Sequence, residues 1–234
     1  MWLAAVFIVL MAFAAVAARK LTVAGGACGA LVAAGLFAGL GWTGIALLGT
    51  FFVLGTGATM WKSAWKAVHG LREGGGGQRR AVQVLANGSA AAVAGLLASL
   101  IPQQAPSWAC AAAGALSAAT ADTLASELGN SYGRRYVNIR TFRPDTRGRD
   151  GAVSLEGFLF GAAGSALIAV VYAVGFGLSL HVVWILVAGT FGNALDSWLG
   201  AGPQRCGLLD NDGVNFINTV AAAGLASGLA LLFG

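Results

Sequence analysis

Apolar residues are grouped along the chain into eight runs that short polar segments separate. A helix that crosses the hydrocarbon core of a bilayer needs roughly 20 mostly apolar residues. The runs are residues 2–17, 21–40, 42–60, 84–101, 108–122, 153–175, 181–199 and 214–233. The pattern predicts an all-α, polytopic membrane helix bundle of about eight transmembrane helices, with residues 1–234 forming one integral membrane domain.

Composition agrees with a membrane protein. The chain is 57% hydrophobic and only 10% charged, and its mean hydropathy is +0.76, whereas a soluble domain carries about 25% charged residues. The 36 glycines suit close helix packing in lipid. The three cysteines form no CxxC motif and no Cys/His cluster, so neither a zinc site nor a disulfide framework is indicated.

The basic residues alternate between the seven loops that join the predicted helices. All 14 Lys and Arg lie in loops one, three, five and seven. Because Lys and Arg accumulate on the cytoplasmic side, we predict odd loops inside and both termini outside. The compactness and the Ala/Gly richness of the chain favour a prokaryotic source, so we expect the cell inner membrane as the location. This distribution explains the net charge of +5, and we expect no nucleic-acid partner. Arg19 and Lys20 follow the first run, which is the reverse of a signal peptide's charge order, so we predict a retained helix.

All nine acidic residues lie in or beside the same odd loops. An ionised carboxylate at a membrane boundary is costly and is a functional candidate by default. Three acidic segments recur at the ends of apolar runs: residues 121–129 (ADTLASELG), 192–201 (GNALDSWLGA) and 209–215 (LDNDGVN). We expect them to meet on one side of the membrane and to hold a cation with a phosphorylated ligand.

Four carboxylates in these segments are candidate catalytic residues and metal ligands: Asp122, Glu127, Asp196 and Asp212. Mg²⁺ takes oxygen ligands, usually one or two carboxylates together with phosphate oxygens. Other interpretations stay open. Asp122 and Glu127 could be structural partners of loop-five arginines in a helix that Gly129 stops. Asp196 could be a helix-terminal acid without a ligand, and either acid of the third segment could be the N-cap of the last helix.

Polar residues around these acids are candidate binding groups. Asn87, Asn211 and Asn215 would complete a polar wall, and Ser154 lies in the segment 151–157 (GAVSLEG) that brackets loop five. Loop five supplies arginines that could clamp phosphates: Arg134, Arg135, Arg140 and Arg143. The alternative is that these arginines bind anionic lipid headgroups nonspecifically. The four glycines at 74–77 lack a following GK[ST] and predict a flexible hinge rather than a phosphate-binding loop.

Five segments together carry a family resemblance. They are residues 83–88 (QVLANG), 121–129, 148–157 (GRDGAVSLEG), 192–201 and 209–215. In this order they resemble the integral-membrane family that includes plant phytyl-phosphate kinase and animal transmembrane protein nineteen, long listed as a domain of unknown function. The chain departs from the family in loop seven, where relatives often carry paired cysteines and only Cys206 is present.

The resemblance implies a kinase that converts an isoprenoid monophosphate, such as phytyl or geranylgeranyl phosphate, to the diphosphate. It implies Mg²⁺, a nucleoside triphosphate donor (CTP or UTP by analogy) and contact with membrane lipids, and it leaves a homodimer open. A phosphate-monoester acceptor is already ionised at pH 7 because its second pKa is about 6, so it needs no general base. The alternatives are a secondary transporter of a cation or small anion, which would use the same acids, and a noncatalytic membrane scaffold.

Overall fold

A computed structural model describes residues 2–71 and 77–234. Within these ranges the chain is almost entirely helical, which confirms the predicted helix bundle. The α-helices are α1 (Trp2–Ala17), α2 (Val23–Met60), α3 (Ser63–Val68), α4 (Ala81–Leu100), α5 (Ala105–Tyr132), α6 (Leu155–Phe176), α7 (Leu180–Leu199) and α8 (Asn211–Phe233). A short 3₁₀ turn, Pro102–Gln104, precedes α5, and a π-helical turn, Gly200–Gln204, follows α7. The hinge predicted at 74–77 lies, except for Gly77, outside the described residues.

Helix α2 consists of two antiparallel arms that meet at Gly41. This glycine has φ +58°, a conformation that residues with a β-carbon rarely adopt. A β-carbon at Gly25 would stand 2.7 Å from the Arg79 carbonyl oxygen, and one at Gly55 would stand 2.5 Å from the Arg79 guanidinium. About 30 residues of straight helix would separate these two glycines by roughly 45 Å. The chain therefore reverses at Gly41, as the break between the runs 21–40 and 42–60 predicted.

The bundle has one basic end. The described Lys and Arg lie in α3, where α1, α2, α5 and α7 end, and where α4, α6 and α8 begin. Contacts between these connections bring them together: the Arg79 N–H donates to the Lys20 carbonyl over 2.9 Å, and Arg80 pairs with Asp212 over 3.8 Å. The connections at the opposite end contain no Asp, Glu, Lys or Arg. The separation of charge predicted for odd and even loops is thus a separation between the two ends of the bundle.

Five helical stretches among the described residues are long and apolar enough to cross a membrane: α2, α4, α6, α8 and the stretch Leu180–Gln204, which joins α7 to its π-helical turn. Helix α1 is apolar but shorter, with 16 residues. Because α2 folds back on itself, it has the length for two crossings. The count of eight crossings and the outside position of both termini stay predictions.

Helix α5 is the centre of the bundle and does not meet the same criterion of apolarity. It contacts α2, α4, α6, α7 and α8, and residues 109–121 are all buried. Ten of its first 17 residues are alanine or glycine, and such small side chains let the neighbouring helices approach closely. Its surroundings are therefore other helices rather than lipid, which relaxes the need for a hydrophobic surface.

Helix α5 is also longer than predicted. We expected it to end near Asp122 with Gly129 as a stop, but it continues to Tyr132. Gly129 instead allows a close helix contact, because a β-carbon there would stand 3.0 Å from the Cα atom of Gly157 in α6. Asp122 and Glu127 consequently project from a continuous helix, so their positions relative to each other are fixed.

The connection from α5 to α6 is folded around two short antiparallel strands, β1 (Val137–Asn138) and β2 (Ala152–Val153). Asp145 anchors this connection to the segment after α7. Its carboxylate accepts hydrogen bonds from the Arg205 guanidinium over 2.6 Å and from the Thr146 N–H over 2.8 Å. The hydrogen bond from Arg205 is the main reason that the pKa of Asp145 falls to about 2, although burial opposes the shift.

We expect Asp145→Asn to lower the unfolding temperature in detergent at pH 7 by roughly 2–4 °C, the change that about 1 kcal/mol produces in a chain of this size. The pKa of folded Asp145 is below its ordinary value of 3.8. Its ionised form therefore stabilises the fold above about pH 4, and this contribution is lost as the pH falls toward 2. Tryptophan fluorescence during heating at pH 7, 5 and 3 measures the effect.

The matched control for this experiment is Asp150→Asn, an exposed acid in the same connection. It should leave the unfolding temperature close to that of the wild type at each pH. An Asp145→Asn variant whose difference from the wild type stays constant between pH 7 and pH 3 would contradict the role of the carboxylate.

Candidate functional site

A polar cavity of about 530 Å³ opens at the basic end of the bundle. Residues of all the helices from α2 to α8 surround it, together with the connection after α1 and the connection between α5 and α6. The structure brings together here eight residues that the sequence proposed for the site: Asn87, Asp122, Glu127, Ser154, Asp196, Asn211, Asp212 and Asn215. The three acidic segments, which are up to 90 residues apart in sequence (122 to 212), therefore line one cavity.

The four arginines proposed as phosphate clamps do not line this cavity. Arg134, Arg135, Arg140 and Arg143 are exposed. The Arg140 guanidinium lies over the Trp198 ring at 4.3 Å, which is consistent with a position near the membrane surface. The reason is the fold of the connection: strands β1 and β2 turn its tip away from the cavity and bring its second half back towards it. Of the loop-five arginines among the described residues, Arg149 lines the cavity.

Other cations occupy the place expected for those arginines. The basic side chains that line the cavity among the described residues are Arg19, Lys20, Lys66, Arg79 and Arg149. Four of them come from the connections after α1 and after α2. Lys66 and Arg79 could be noticed in the sequence because both flank the glycine run at 74–77. That they face the acids depends on the reversal of the chain at Gly41, which the local sequence around them does not show.

Lys66 and Glu127 form a buried ion pair at the cavity wall. The Lys66 side chain is 1% exposed and its Nζ pairs with Glu127 Oε2. The same ammonium donates to the Ala58 and Thr59 carbonyls, each over 3.0 Å. These carbonyls belong to the last turn of α2, where a cation is favoured because the helix leaves them unpaired. Glu127 thus has a structural partner, as one interpretation of the sequence allowed, but the partner is a lysine rather than a loop-five arginine.

Two asparagines turn their amide oxygens away from their own helices. The Asn87 amide donates to the Gln83 carbonyl, and the Asn215 amide donates to the Asn211 carbonyl, both over 3.0 Å. Only the nitrogen can donate to a carbonyl, so the oxygen of each amide is left for another partner. Asn87 Oδ1 is buried and has no hydrogen-bond partner among the described residues. A buried acceptor of this kind suits a bound cation or a hydrogen-bond donor.

Helix α8 positions the third acidic segment. Asp210 is its N-cap and accepts from the Gly213 N–H over 2.8 Å, which confirms the capping interpretation for one of the two acids. Asp212 lies in the first turn, lines the cavity and pairs with Arg80 over 3.8 Å. Deeper in the bundle, the Asn218 amide donates to Asp196 Oδ2 over 3.2 Å and joins α8 to α7.

The oxygen-rich lining fits an open Mg²⁺ site better than a closed one. Among the described residues, no three His, Cys, Asp or Glu side chains are grouped closely enough to hold a metal by themselves. Mg²⁺, however, usually keeps several waters and binds through one or two carboxylates plus substrate phosphates. Asp122 or Asp196 would supply the carboxylate, and the Asn87 oxygen would supply a neutral ligand or accept from a coordinated water.

Comparisons with known proteins agree with this architecture. An uncharacterized membrane protein of Synechocystis sp. is 35% identical over 97% of this chain and 91% of its own length. An uncharacterized membrane protein of Methanocaldococcus jannaschii is 38% identical over 45% of this chain and 44% of its own length. Protein VTE6, chloroplastic, of Arabidopsis thaliana is 31% identical over 85% of this chain, which spans 63% of that protein.

No solved structure matches the chain. The family model described as Integral membrane protein DUF92 matches residues 6–223. That range includes the five motifs on which the family resemblance was based and every described residue that lines the cavity. The chain therefore belongs to the integral membrane protein family DUF92.

Proposed function

We propose that the chain is a Mg²⁺-dependent phosphotransferase that converts a phytyl- or geranylgeranyl-type monophosphate to the diphosphate at the cytoplasmic membrane face. The donor is a nucleoside triphosphate, CTP or UTP. One observation carries the proposal. A single polar cavity at the end of an apolar bundle contains both carboxylates and basic side chains. Membership of a family that the motifs connect with phytyl-phosphate kinase supports it further.

The charges of the cavity suit two phosphorylated substrates. Phosphoryl transfer depends mainly on positioning and on neutralising charge around the phosphates. Arg19, Lys20 and Arg79 line the cavity and would bind phosphate oxygens of the donor or of the acceptor. Asp122 and Asp196 would hold Mg²⁺, which when bound neutralises phosphate charge. In the transfer, an oxygen of the lipid monophosphate forms a bond to the γ-phosphorus, the bond to the β-phosphate oxygen breaks, and the nucleoside diphosphate leaves.

The lining favours a phosphate acceptor over an alcohol. A lipid monophosphate is ionised at pH 7 and can attack without losing a further proton. An alcohol acceptor would require a general base. Among the described residues, neither His nor Cys lines the cavity, so Asp122 or Asp196 would have to serve as that base. A phosphate acceptor therefore needs no general base from the residues that line the cavity, whereas an alcohol acceptor does.

A transporter of a cation or small anion is the second candidate because polar groups continue from the cavity into the bundle. Asn218 Oδ1, Ser117 Oγ and Ser165 Oγ are buried and have no hydrogen-bond partner among the described residues. A β-carbon at Gly189 would touch both serine hydroxyls, so these groups lie close together. Ion-dependent uptake into proteoliposomes, without any lipid diphosphate formed, would favour this candidate.

The direct test uses purified protein in detergent with geranylgeranyl or phytyl phosphate, Mg²⁺ and CTP, UTP or ATP in turn. We expect lipid diphosphate by mass spectrometry, and we expect EDTA to abolish it. Asp122→Asn should lower turnover at least 100-fold, because the variant loses a charge that holds the metal, while the unfolding temperature stays near that of the wild type.

Asp210→Asn is the matched control, since Asp210 caps α8 and asparagine caps a helix equally well. It should keep wild-type turnover. Full activity of Asp122→Asn would remove Asp122 from the site, and absence of product with every donor from folded wild-type protein would overturn the kinase proposal.

A second experiment separates a structural role of Glu127 from a catalytic one. Lys66→Met leaves the Glu127 charge without its partner and should destabilise the protein by about 3–5 kcal/mol. Lys66→Met combined with Glu127→Gln removes both charges and should recover most of that stability. We expect turnover to stay low in the double variant, because the cavity then lacks the Glu127 carboxylate. If turnover recovers together with the unfolding temperature, Glu127 serves only to hold Lys66.

A third experiment compares basic residues inside and outside the cavity. Arg79→Gln should raise the KM for the nucleotide or lipid phosphate at least tenfold, since Arg79 lines the cavity. The exposed pair Arg134→Gln and Arg135→Gln should change KM less than threefold. Initial rates at several concentrations of each substrate measure both. The opposite ranking would restore the clamp that the sequence suggested in loop five.

A further inference from the structure

A second, apolar groove of about 400 Å³ lies on the outer side of the seam between α6 and α7. We call it the tail groove, and its lining residues are Phe158, Leu186, Val187, Thr190, Phe191 and Ala194. Phe158, Leu186, Val187 and Phe191 are 37–43% exposed. In a membrane-embedded bundle, apolar side chains with this exposure face the lipid rather than the protein interior. The tail groove is thus open to the hydrocarbon phase.

The tail groove adjoins the polar cavity. Phe158 and Ala194 line both. Phe158 lies in the first turn of α6, and Ala194 lies near the end of α7, so the junction is at the basic end of the bundle. Two adjoining spaces therefore offer charged and amide groups on one side and an apolar lining on the other. This arrangement matches a ligand with a polar head and an apolar chain.

The chemistry of the lining restricts what can lie in the groove. Thr190 is its one hydroxyl-bearing residue among those described, and this hydroxyl already donates to the Leu186 carbonyl over 2.9 Å. No polar group of the lining therefore calls for a hydrogen bond from the occupant. From Ala194 to Leu186 the groove follows α7 over roughly 12 Å, at 1.5 Å per residue. That is most of the roughly 15 Å thickness of one hydrocarbon leaflet.

Other seams of the bundle are closed by glycine contacts. A β-carbon at Gly39 of α2 would overlap the Gly95 backbone of α4. A β-carbon at Gly157 of α6 would stand 2.8 Å from the Ala125 carbonyl of α5. Where helix backbones touch in this way, no space is left for a hydrocarbon chain. The inner side of the α6–α7 seam is packed in the same way, since a β-carbon at Gly189 of α7 would overlap Ser165 Oγ of α6. The outer side of this seam is lined by bulkier side chains and leaves a space.

We propose that the tail groove binds the single hydrocarbon chain of a lipid monophosphate whose phosphate group occupies the polar cavity. The proposal rests on the proposed function insofar as the cavity takes that phosphate. The lipid would enter sideways from the membrane between α6 and α7, and its phosphate would reach Asp122, Asp196 and the basic residues without the chain leaving the hydrocarbon. The nucleotide would enter the cavity from the aqueous side of the basic end.

The test is photo-crosslinking in nanodiscs with geranylgeranyl phosphate that carries a diazirine near the end of its chain. We expect labelled peptides to be concentrated on residues 186–190, the part of the groove farthest from the cavity. Val187→Trp fills the groove away from the cavity and should lower this labelling at least tenfold. Val170→Phe, at a lipid-facing position of α6 outside the groove, is the matched control and should label like the wild type.

Competition identifies the source of the bound chain. Unlabelled phytyl phosphate should displace the probe, whereas phosphatidic acid at the same concentration should displace at least tenfold less. Equal displacement by both lipids would mean that the groove holds any anionic membrane lipid and would overturn the proposal. Labelling spread over α1 and α2, or labelling unchanged in Val187→Trp, would overturn it as well.

Turnover in the same samples keeps this proposal separate from the kinase proposal. Val187→Trp should raise the KM for geranylgeranyl phosphate at least tenfold more than the KM for a soluble five-carbon prenyl phosphate. Concentrated labelling of the groove without diphosphate from any donor would retain the lipid site and remove the kinase activity. Diphosphate formation with labelling elsewhere would retain the kinase and remove the tail groove.

Discussion

The arrangement of the helices depends on one constraint: carboxylates that lie beside the hydrocarbon of the membrane need partners that offset their charge. An isolated ion in a low-dielectric environment costs several kcal/mol. In this protein the cost is offset by bringing basic and amide groups from distant segments to the same end of the bundle. Lys66 meets Glu127, Arg80 meets Asp212 and Asn218 meets Asp196. Each contact joins different helices or connections. The interactions that offset the cost of the charged carboxylates therefore also hold the helices in place relative to one another.

Small residues make this convergence sterically feasible. The central helix α5 carries two of the carboxylates and is surrounded by five other helices. Its run of alanines lets those helices approach until backbone and small side chains touch, and glycines on α6 and α7 do the same from the other side. The cavity exists where this close packing stops, at the basic end, because longer polar side chains replace the alanines there.

Much of the fold could be predicted from the sequence because apolar runs and basic loops are strong signals. The end of α1 and the break at Gly41 followed directly from them. The end of α5 did not, because Gly129 serves helix contact rather than termination, and a single sequence does not distinguish these roles. The acids and asparagines of the cavity could be identified by residue type and position. Lys66 could not be matched to Glu127, because 61 residues separate them and the contact requires the reversal of α2.

The burial of α5 on all sides limits which amino-acid substitutions this helix can accept. Every residue from Ala109 to Ala121 is enclosed, so the helix has no face on which a larger side chain could be accommodated by lipid. A larger side chain at almost any of these positions would have to displace a neighbouring helix, and the helices that contact α5 also line the cavity. Substitutions in this segment of α5 therefore change the shape of the cavity at the basic end of the bundle. The cavity thus depends on alanines that do not line it.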